Sequence, residues 1–152
     1  MRSQALVGAL LRRPPQIIKR RIHAELVEAG FSDLHPAHLN VFQHPGPRGM
    51  RPSQLAQAAN MTKQAMNHLL GQLAELGYIK RHRLSSDPRG KIVSLTERGE
   101  AAIRIIRKTV LRVEREWMKT LGARQFGQLR RLLVALNEHL DDSEAAVKTR
   151  PT

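Results

Sequence analysis

Hydrophobic residues recur at helical spacing near the start of the chain. Isoleucine and leucine at every fourth position predict an amphipathic helix over residues 15–29. Before it, Pro14 and Pro15 are expected to end a shorter helix over residues 1–13, because proline disfavours helical backbone angles in the residue that precedes it. Arg13 and Pro14 should therefore be extended, and Pro15 should open the second helix.

The C-terminal part of the chain carries two longer apolar stripes. Hydrophobic residues at steps of three and four predict a helix that begins after Thr96, a suitable N-cap, and ends near residue 120. After Gly122, a second stripe predicts a helix over residues 124–140. These stripes could bury against their own domain or against a second copy of the chain. Because most soluble oligomers are two-fold dimers, a homodimer is the favoured interpretation.

The middle of the chain predicts two short helices joined by a tight turn. Residues 53–59 form the first helix, and Asn60 is suited to the turn because asparagine tolerates left-handed backbone angles. Thr62 is suited to cap the second helix. Four residues form the predicted buried side of that helix: Met66, Leu69, Leu70 and Leu73. This arrangement is typical of a helix-turn-helix, in which the second helix enters the major groove of DNA.

The opposite side of the second helix is polar near its N-terminus, with Lys63, Gln64, Asn67 and His68. Glutamine and asparagine can form two hydrogen bonds with adenine, and lysine can contact guanine or phosphate. The alternative is an ordinary solvated helix face. The helix pair alone is therefore only moderate support for DNA binding.

Two strands and a loop follow the helix pair. Residues 78–84 and 91–95 alternate as strands, and residues 85–90, which include Pro88 and Gly90, are expected to form the tip between them. Asp87 has the wrong charge to attract DNA and is expected to hold the loop. An arginine at a loop tip suits the negative potential of a narrow minor groove. The basic residues around the tip are Arg81, Arg83, Arg89 and Lys91.

The charge of the chain favours a polyanionic partner. The 152 residues include 26 basic and 13 acidic residues, which give a formal net charge of +13. Such an excess indicates a nucleic acid as the partner more readily than a solvated basic surface. Together with the helix-turn-helix, it makes double-stranded DNA the expected partner. We expect the following residues to contact DNA: Arg51, Ser53, Thr62, Lys63, Gln64, Asn67, His68, Arg81, Arg83, Asp87, Arg89 and Lys91.

Several classes of protein are disfavoured. The chain has no cysteine, which excludes disulfides and thiol chemistry. No apolar run approaches the roughly 20 residues of a membrane span, so a cytoplasmic, nucleoid-associated protein is expected. No phosphate loop or nucleophile–base pair indicates an enzyme. A zinc site at His35, His38 and His44 is the weaker interpretation of those histidines, since no carboxylate or cysteine lies near them in sequence; we expect no metal and no cofactor.

Four segments together resemble the multiple-antibiotic-resistance regulator (MarR) family. They are Thr-Lys-Gln-Ala at 62–65, Leu-Ala-Glu-Leu-Gly-Tyr-Ile at 73–79, Asp-Pro-Arg-Gly at 87–90 and Leu-Thr-Glu-Arg-Gly at 95–99. The resemblance implies winged helix dimers that bind pseudo-palindromic operators, usually as repressors. It also implies release from DNA by a small phenolic or other ligand bound between the DNA-binding lobe and the dimer helices.

The chain departs from this family in three places. Pro14 and Pro15 fall where the family usually has one continuous helix that contributes to the dimer and to the ligand crevice. Pro52 stands at the start of the first helix of the pair, after Arg51, which is a poor cap. The cysteines of the family's oxidant sensors are absent. These departures keep open a second hypothesis, an architectural or constitutive DNA-binding protein that responds to no effector.

The expected fold is mainly α with a small β-wing: a winged helix-turn-helix core flanked by N- and C-terminal dimerisation helices. The N-terminal helical dimerisation segment spans residues 1–33, and the DNA-binding lobe spans residues 34–96. The C-terminal dimerisation helices span residues 97–141. Residues 142–152 are expected to form a flexible polar tail.

Overall fold

The computed structural model describes the backbone of residues 5–42, 49–84 and 87–148, and their side chains except at positions 84, 87–89 and 145–148. It contains seven α-helices and two strands over these ranges: α1 Val7–Leu10, α2 Arg13–Glu28, α3 Leu39–Phe42, α4 Pro52–Ala58, α5 Lys63–Glu75, β1 Ile79–Leu84, β2 Asp87–Leu95, α6 Glu97–Leu121 and α7 Ala123–Lys148. A 3-10 turn, Pro36–His38, precedes α3. The predicted mainly helical fold with a small β-wing is confirmed.

The chain divides into two compact units, Met1–Val110 and Leu111–Thr152, with the boundary inside α6. The first unit contains the helix-turn-helix, the wing and one hydrophobic core. The residues at the centre of that core come from every part of the unit: Ile22, Leu26, Leu34, Leu39, Val41, Phe42, Leu55, Met66, Leu70, Leu73, Tyr78, Ile79, Val93 and Ala102. None of the described helices is long and apolar enough to cross a lipid bilayer.

The two N-terminal prolines begin a helix and do not separate two helices by an extended segment. Helix α2 starts at Arg13, and Pro14 and Pro15 lie in its first turn. The expectation that Arg13 and Pro14 are extended is therefore wrong. The amide groups of a first turn have no partner within the helix, so the missing N–H of proline costs little there, and its fixed φ suits the helix.

The helix-turn-helix has the predicted local structure. Asn60 adopts a left-handed conformation with φ 50°, which turns the chain between α4 and α5. Thr62 caps α5, since its Oγ1 accepts a hydrogen bond from the amide of Ala65 at 3.1 Å. The four residues expected on the buried side of α5 are all buried. Arg51 is a poor cap, as expected, but the side chain of Gln54 compensates by accepting from the amide of Arg51 at 2.9 Å.

The wing is a two-stranded antiparallel sheet whose hairpin is tighter than predicted. Residues 79–83 of β1 pair in regular register with residues 91–95 of β2, and Leu84 then pairs with Asp87. The register shift places residues 88–90 as an insertion in β2. The expected six-residue tip over residues 85–90 is therefore too long, because Asp87 already belongs to the strand. A short bridge between Met50 and Val93 ties the segment before α4 to the wing.

The junction between the wing and α6 is closely packed. Thr96 caps α6 as predicted, with its Oγ1 accepting from the amide of Gly99 at 3.1 Å. The same hydroxyl donates to the carbonyl oxygen of Gly77 at 2.5 Å, and the amide of Thr96 donates to the carbonyl of Tyr78 at 3.0 Å. One threonine therefore joins the end of α5, the start of β1 and the start of α6.

The second unit consists of the C-terminal part of α6 and all of α7. Gly122, with φ 84°, ends α6. Helix α7 continues to Lys148 and so is longer than the helix predicted to end at residue 140. Its apolar residues are largely exposed in the single chain, among them Leu129, Leu132, Val134, Leu136 and Leu140.

Candidate nucleic-acid interface

Helix α5 presents its polar side to solvent, as the sequence predicted. Lys63, Gln64, Asn67 and His68 are all exposed, while the intervening Met66 is fully buried. This side chain pattern follows from the helix-turn-helix packing, because the apolar side of α5 is held in the core. The polar groups near the N-terminus of α5 are therefore free to meet the edges of base pairs.

An open cleft of about 350 Å³ lies beside this helix. Three cations from different elements line it: Arg51 before α4, Lys63 at the start of α5 and Lys91 in β2. The side chains of Ser53 and Asn67 add hydrogen-bonding groups. Because like charges repel one another, this convergence favours an anionic occupant. A phosphate of a nucleic acid backbone has the required charge and acceptor oxygens.

The outer part of the wing adds a second pair of cations. Arg83 in β1 lies directly opposite Lys91 in β2, and both side chains are exposed. Like charges at directly opposite positions destabilise an antiparallel sheet. Lys80 and His82 are exposed on the other side of β1. The wing is therefore basic on both faces.

Arg81 occupies a different position from the other basic residues of the wing. It lies opposite the fully buried Val93 and is itself only partly exposed. Its Nη2 donates to the backbone carbonyl oxygen of Asn67 at 2.9 Å. The guanidinium is therefore directed at α5.

Two of the predicted contact residues, Asp87 and Arg89, have side chains outside the described part of the structure. Their backbones belong to β2. His44, one of the three histidines considered for zinc, also lies outside the described residues.

His38 is a core residue with both ring nitrogens occupied. Nδ1 accepts from the amide of His35 at 3.1 Å, and Nε2 lies 3.0 Å from Oε1 of Gln72. These contacts fit the tautomer that carries its proton on Nε2. Among the residues that the structure describes, no cluster of three or more histidine, aspartate or glutamate side chains could hold a metal ion.

A polar network behind the interface was not anticipated from the sequence. The hydroxyl of buried Tyr78 donates to Oδ1 of Asp33 at 2.5 Å. Arg98 donates to Oδ2 of Asp33 at 2.9 Å and to the carbonyl oxygen of Leu76 at 2.5 Å. Its guanidinium also stacks 4.4 Å above the ring of Tyr78. The network joins the segment after α2, the end of α5 and the first turn of α6.

The network shifts the pKa of both acidic members. Burial would raise the pKa of Asp33, but the hydrogen bond from Tyr78 and the charge of Arg98 outweigh it, so the pKa lies below the ordinary value of 3.8. Burial and the hydrogen bond to Asp33 raise the pKa of Tyr78 well above its ordinary value. Both groups therefore keep the protonation states in which tyrosine donates and aspartate accepts.

The excess positive charge is concentrated in the first unit. Residues 1–110 contain 18 basic and seven acidic side chains, whereas residues 111–152 contain eight and six. The formal charge is thus +11 in the unit with the helix-turn-helix and +2 in the other. Most of the excess positive charge therefore lies in the same unit as the candidate interface.

Comparison with known proteins supports the assignment of the fold. No protein-family model matches the chain. A MarR family protein of Mycobacterium tuberculosis, in complex with salicylic acid, superposes with a TM-score of 0.63 at 27% identity over 90% of this chain and 99% of that one. Wild-type MarR of E. coli, in its apo form, gives 0.66 at 23% identity over 87% and 96% of the two chains.

A third neighbour was solved with nucleic acid. The transcriptional repressor CouR of Rhodococcus jostii RHA1, bound to a 23-mer DNA duplex, superposes with a TM-score of 0.68 at 22% identity over 87% of this chain and 92% of that one. The four sequence segments, the capped helix pair, the wing and these similarities agree. The chain has the winged helix-turn-helix fold of these MarR family structures.

Proposed function

We propose that the chain is a sequence-specific DNA-binding repressor that acts as a homodimer on a pseudo-palindromic operator. The observation that carries this proposal is the cleft of Arg51, Lys63 and Lys91 beside the exposed polar side of α5. The cleft would hold a backbone phosphate while Gln64 and Asn67 meet base edges in the adjacent major groove. The neighbour CouR, which has the same fold and was solved on a DNA duplex, supports DNA as the partner.

The wing would contact DNA beside the recognition helix α5. Arg83 and Lys91 repel each other in the free protein, and a phosphate between them would relieve that repulsion. Arg89 remains the proposed minor-groove contact, with Asp87 holding the hairpin. Ser53, Thr62 and His68 complete the proposed set of contacts on the helix pair.

A homodimer is proposed from the apolar side chains that the single chain leaves exposed. Leu132 of α7 is 63% exposed and Leu6, before α1, is 81% exposed. Exposed apolar residues that recur along one side of a helix, as in α7, mark a protein–protein interface. Two copies of the DNA-binding unit would then meet successive major grooves about one helical turn, or roughly 10 bp, apart. The proposed dimerisation segments are residues 1–33 and 97–141.

Release by a small ligand is a further part of the proposal. Two neighbours were solved with small molecules, the mycobacterial protein with salicylic acid and CouR with p-coumaroyl-CoA. We propose a phenolic or other small organic acid as the effector of this chain. The neighbours are transcriptional regulators, and we propose no enzymatic activity for it.

Footprinting on the DNA that flanks the protein's own gene tests the proposal. The full chain should protect two half-sites about one helical turn apart, and Lys63→Glu should abolish protection because it reverses a charge in the cleft. Arg124→Glu, an equal charge reversal at an exposed position on the polar side of α7, is the matched control and should leave protection intact. Protection spread evenly over any sequence would reject the repressor and support an architectural protein. Footprints with salicylate or p-coumarate then test release.

A further inference from the structure

The geometry points to Arg81 as a positioning residue that fixes the recognition helix α5 against the wing, and not as a DNA contact. This inference rests on the proposed function, since it concerns how the two DNA-reading elements are held together. It changes the role expected from the sequence, in which Arg81 and Arg83 are equivalent basic residues two positions apart on one strand.

The two arginines lie on the same side of β1 but in different surroundings. Residues 79, 81 and 83 project to one face of the strand, because side chains alternate along a strand. On this face Ile79 is buried, Arg81 is partly exposed and Arg83 is exposed. The face therefore passes from the core to the solvent, with Arg81 at the boundary.

The hydrogen bond of Arg81 joins β1 to the part of α5 that carries the exposed polar side chains. Its Nη2 donates to the carbonyl oxygen of Asn67, which lies within the segment of α5 that carries the proposed base-reading side chains. The acceptor is a backbone atom, so the bond positions the helix itself and does not depend on the asparagine side chain. The charged donor makes it stronger than a neutral hydrogen bond.

The Nε of Arg81 supports the same interpretation. This atom is inaccessible to solvent and has no hydrogen-bond partner among the described residues. A guanidinium whose Nε is enclosed between strand and helix cannot present its full set of donors to a phosphate outside. Arg83 is exposed and lies opposite Lys91, so its guanidinium can present its donors to a phosphate.

Salt dependence of binding separates a positioning residue from a phosphate contact. Each phosphate that a protein neutralises contributes about 0.9 to the slope of log affinity against log salt concentration. We expect Arg81→Met and Arg81→Lys both to weaken operator binding by about tenfold, comparable to one lost base contact. The salt slope of both variants should equal that of the wild type, because no phosphate contact is lost.

Arg83 supplies the matched control on the same strand and face. Arg83→Met should lower the salt slope by about one unit, and Arg83→Lys should restore it, because lysine keeps the charge. If Arg81→Met lowers the slope in the same way and Arg81→Lys restores it, Arg81 is a phosphate contact and the inference is wrong. Wild-type affinity in both Arg81 variants would also reject it.

A double-mutant cycle with Asn67 separates positioning from a general loss of stability. Asn67→Ala removes the side chain but keeps the carbonyl oxygen that Arg81 binds. If Arg81 acts through α5, Arg81→Met should weaken discrimination at the base pair that Asn67 reads, and the two changes together should be less than additive. The pair Arg83→Met and Asn67→Ala should be additive. Additivity in both cycles would contradict the inference.

Hydrogen exchange in the free protein keeps this test independent of DNA. The amides of α5 around Asn67 should exchange faster in Arg81→Met and Arg81→Lys than in the wild type. Their exchange rates should be unchanged in Arg83→Met. If the wild type gives no footprint on any DNA, the proposed function fails, and exchange still tests the contact. Unchanged exchange in both Arg81 variants would show that the contact does not hold α5.

Discussion

Gly99, in the first turn of α6, packs directly against the backbone carbonyl oxygen of Tyr78. A Cβ at position 99 would collide with that oxygen, a backbone atom directly before β1 that also accepts a hydrogen bond from the amide of Thr96 and so cannot easily move away. We therefore expect Gly99→Ala to destabilise the protein by about 2 kcal/mol or more, as backbone collisions in a packed core do. Urea unfolding followed by circular dichroism measures the change.

Gly71 provides the control for this substitution. It lies inside α5, and a Cβ there would meet no atom within 4 Å. Alanine favours the helix by about 0.5–1 kcal/mol over glycine, so Gly71→Ala should stabilise the protein. Equal effects of the two substitutions would show that the contact with Tyr78 does not require glycine.

The hydroxyl of Tyr78 is expected to contribute to stability through Asp33. Tyr78→Phe keeps the ring and its contact with Arg98 but removes the donor to the carboxylate. Because Asp33 retains Arg98 and is partly solvated, we expect a loss of about 1 kcal/mol in the free energy of unfolding. Tyr78→Leu, which also removes the ring, should cost more. The two urea midpoints compared with the wild type give the answer, and no loss in Tyr78→Phe would contradict the role of the bond.

The lowered pKa of Asp33 predicts a specific pH dependence of stability. The ionised carboxylate contributes fully above its unfolded-state pKa, near the ordinary value of 3.8, and this contribution is lost as pH falls through the lower pKa of the folded state. Asp33→Asn should therefore be less stable than the wild type at pH 6, with a difference that shrinks below pH 4. The side chains of Asp33 and Arg98 are 32% and 42% exposed, so the effect should stay within about 1 kcal/mol. A stability difference that is constant with pH would show that the negative charge of Asp33 does not stabilise the fold.

The polar side of α5 predicts which substitutions change DNA sequence preference. Gln64→Ala and Asn67→Ala should each reduce discrimination at one base pair by about 1–3 kcal/mol, measured by competition with single-base operator variants. Gln128→Ala makes the same change at an exposed position of α7 and should have no effect. Uniform weakening across all sequences would instead assign Gln64 and Asn67 to the phosphate backbone.

The exposed leucines of α7 predict the oligomeric state. A glutamate in place of Leu132 should raise the dimer dissociation constant at least about tenfold, since burying a leucine contributes about 1.5–3 kcal/mol. Arg124→Glu introduces the same residue at an exposed position on the polar side of α7 and should leave the dimer unchanged. Sedimentation equilibrium of both variants gives the result, and a wild-type monomer at micromolar concentration would reject the dimer.

Much of the first unit was predictable because local rules and packing agree there. Asn60 at a left-handed turn, Thr62 at a helix cap and the buried side of α5 each follow from residue type and spacing, and the structure confirms them. The length of the turn in the wing hairpin could not be predicted. The insertion at residues 88–90 is set by pairing across the sheet, and the residue types Pro and Gly predict a turn without giving its length.

The errors and omissions arise where distant segments meet. Asp33 carries no local signal, because its partner Tyr78 lies 45 positions along the chain. The residues of the cationic cleft were each predicted to contact DNA, but their convergence depends on how α4, α5 and β2 pack. Arg81 and Arg83 cannot be distinguished by sequence, since only the point at which β1 leaves the core decides which of them turns toward α5.

The opposed cations of the wing make ionic strength act in two directions. In the free protein, salt screens the repulsion between Arg83 and Lys91 and so favours a closed hairpin. In a DNA complex the same salt competes with the phosphates that these side chains would neutralise. A high-salt buffer that best orders the wing is thus also one in which the protein binds DNA least tightly. Crystals grown at high salt would show the hairpin closed without a bound phosphate.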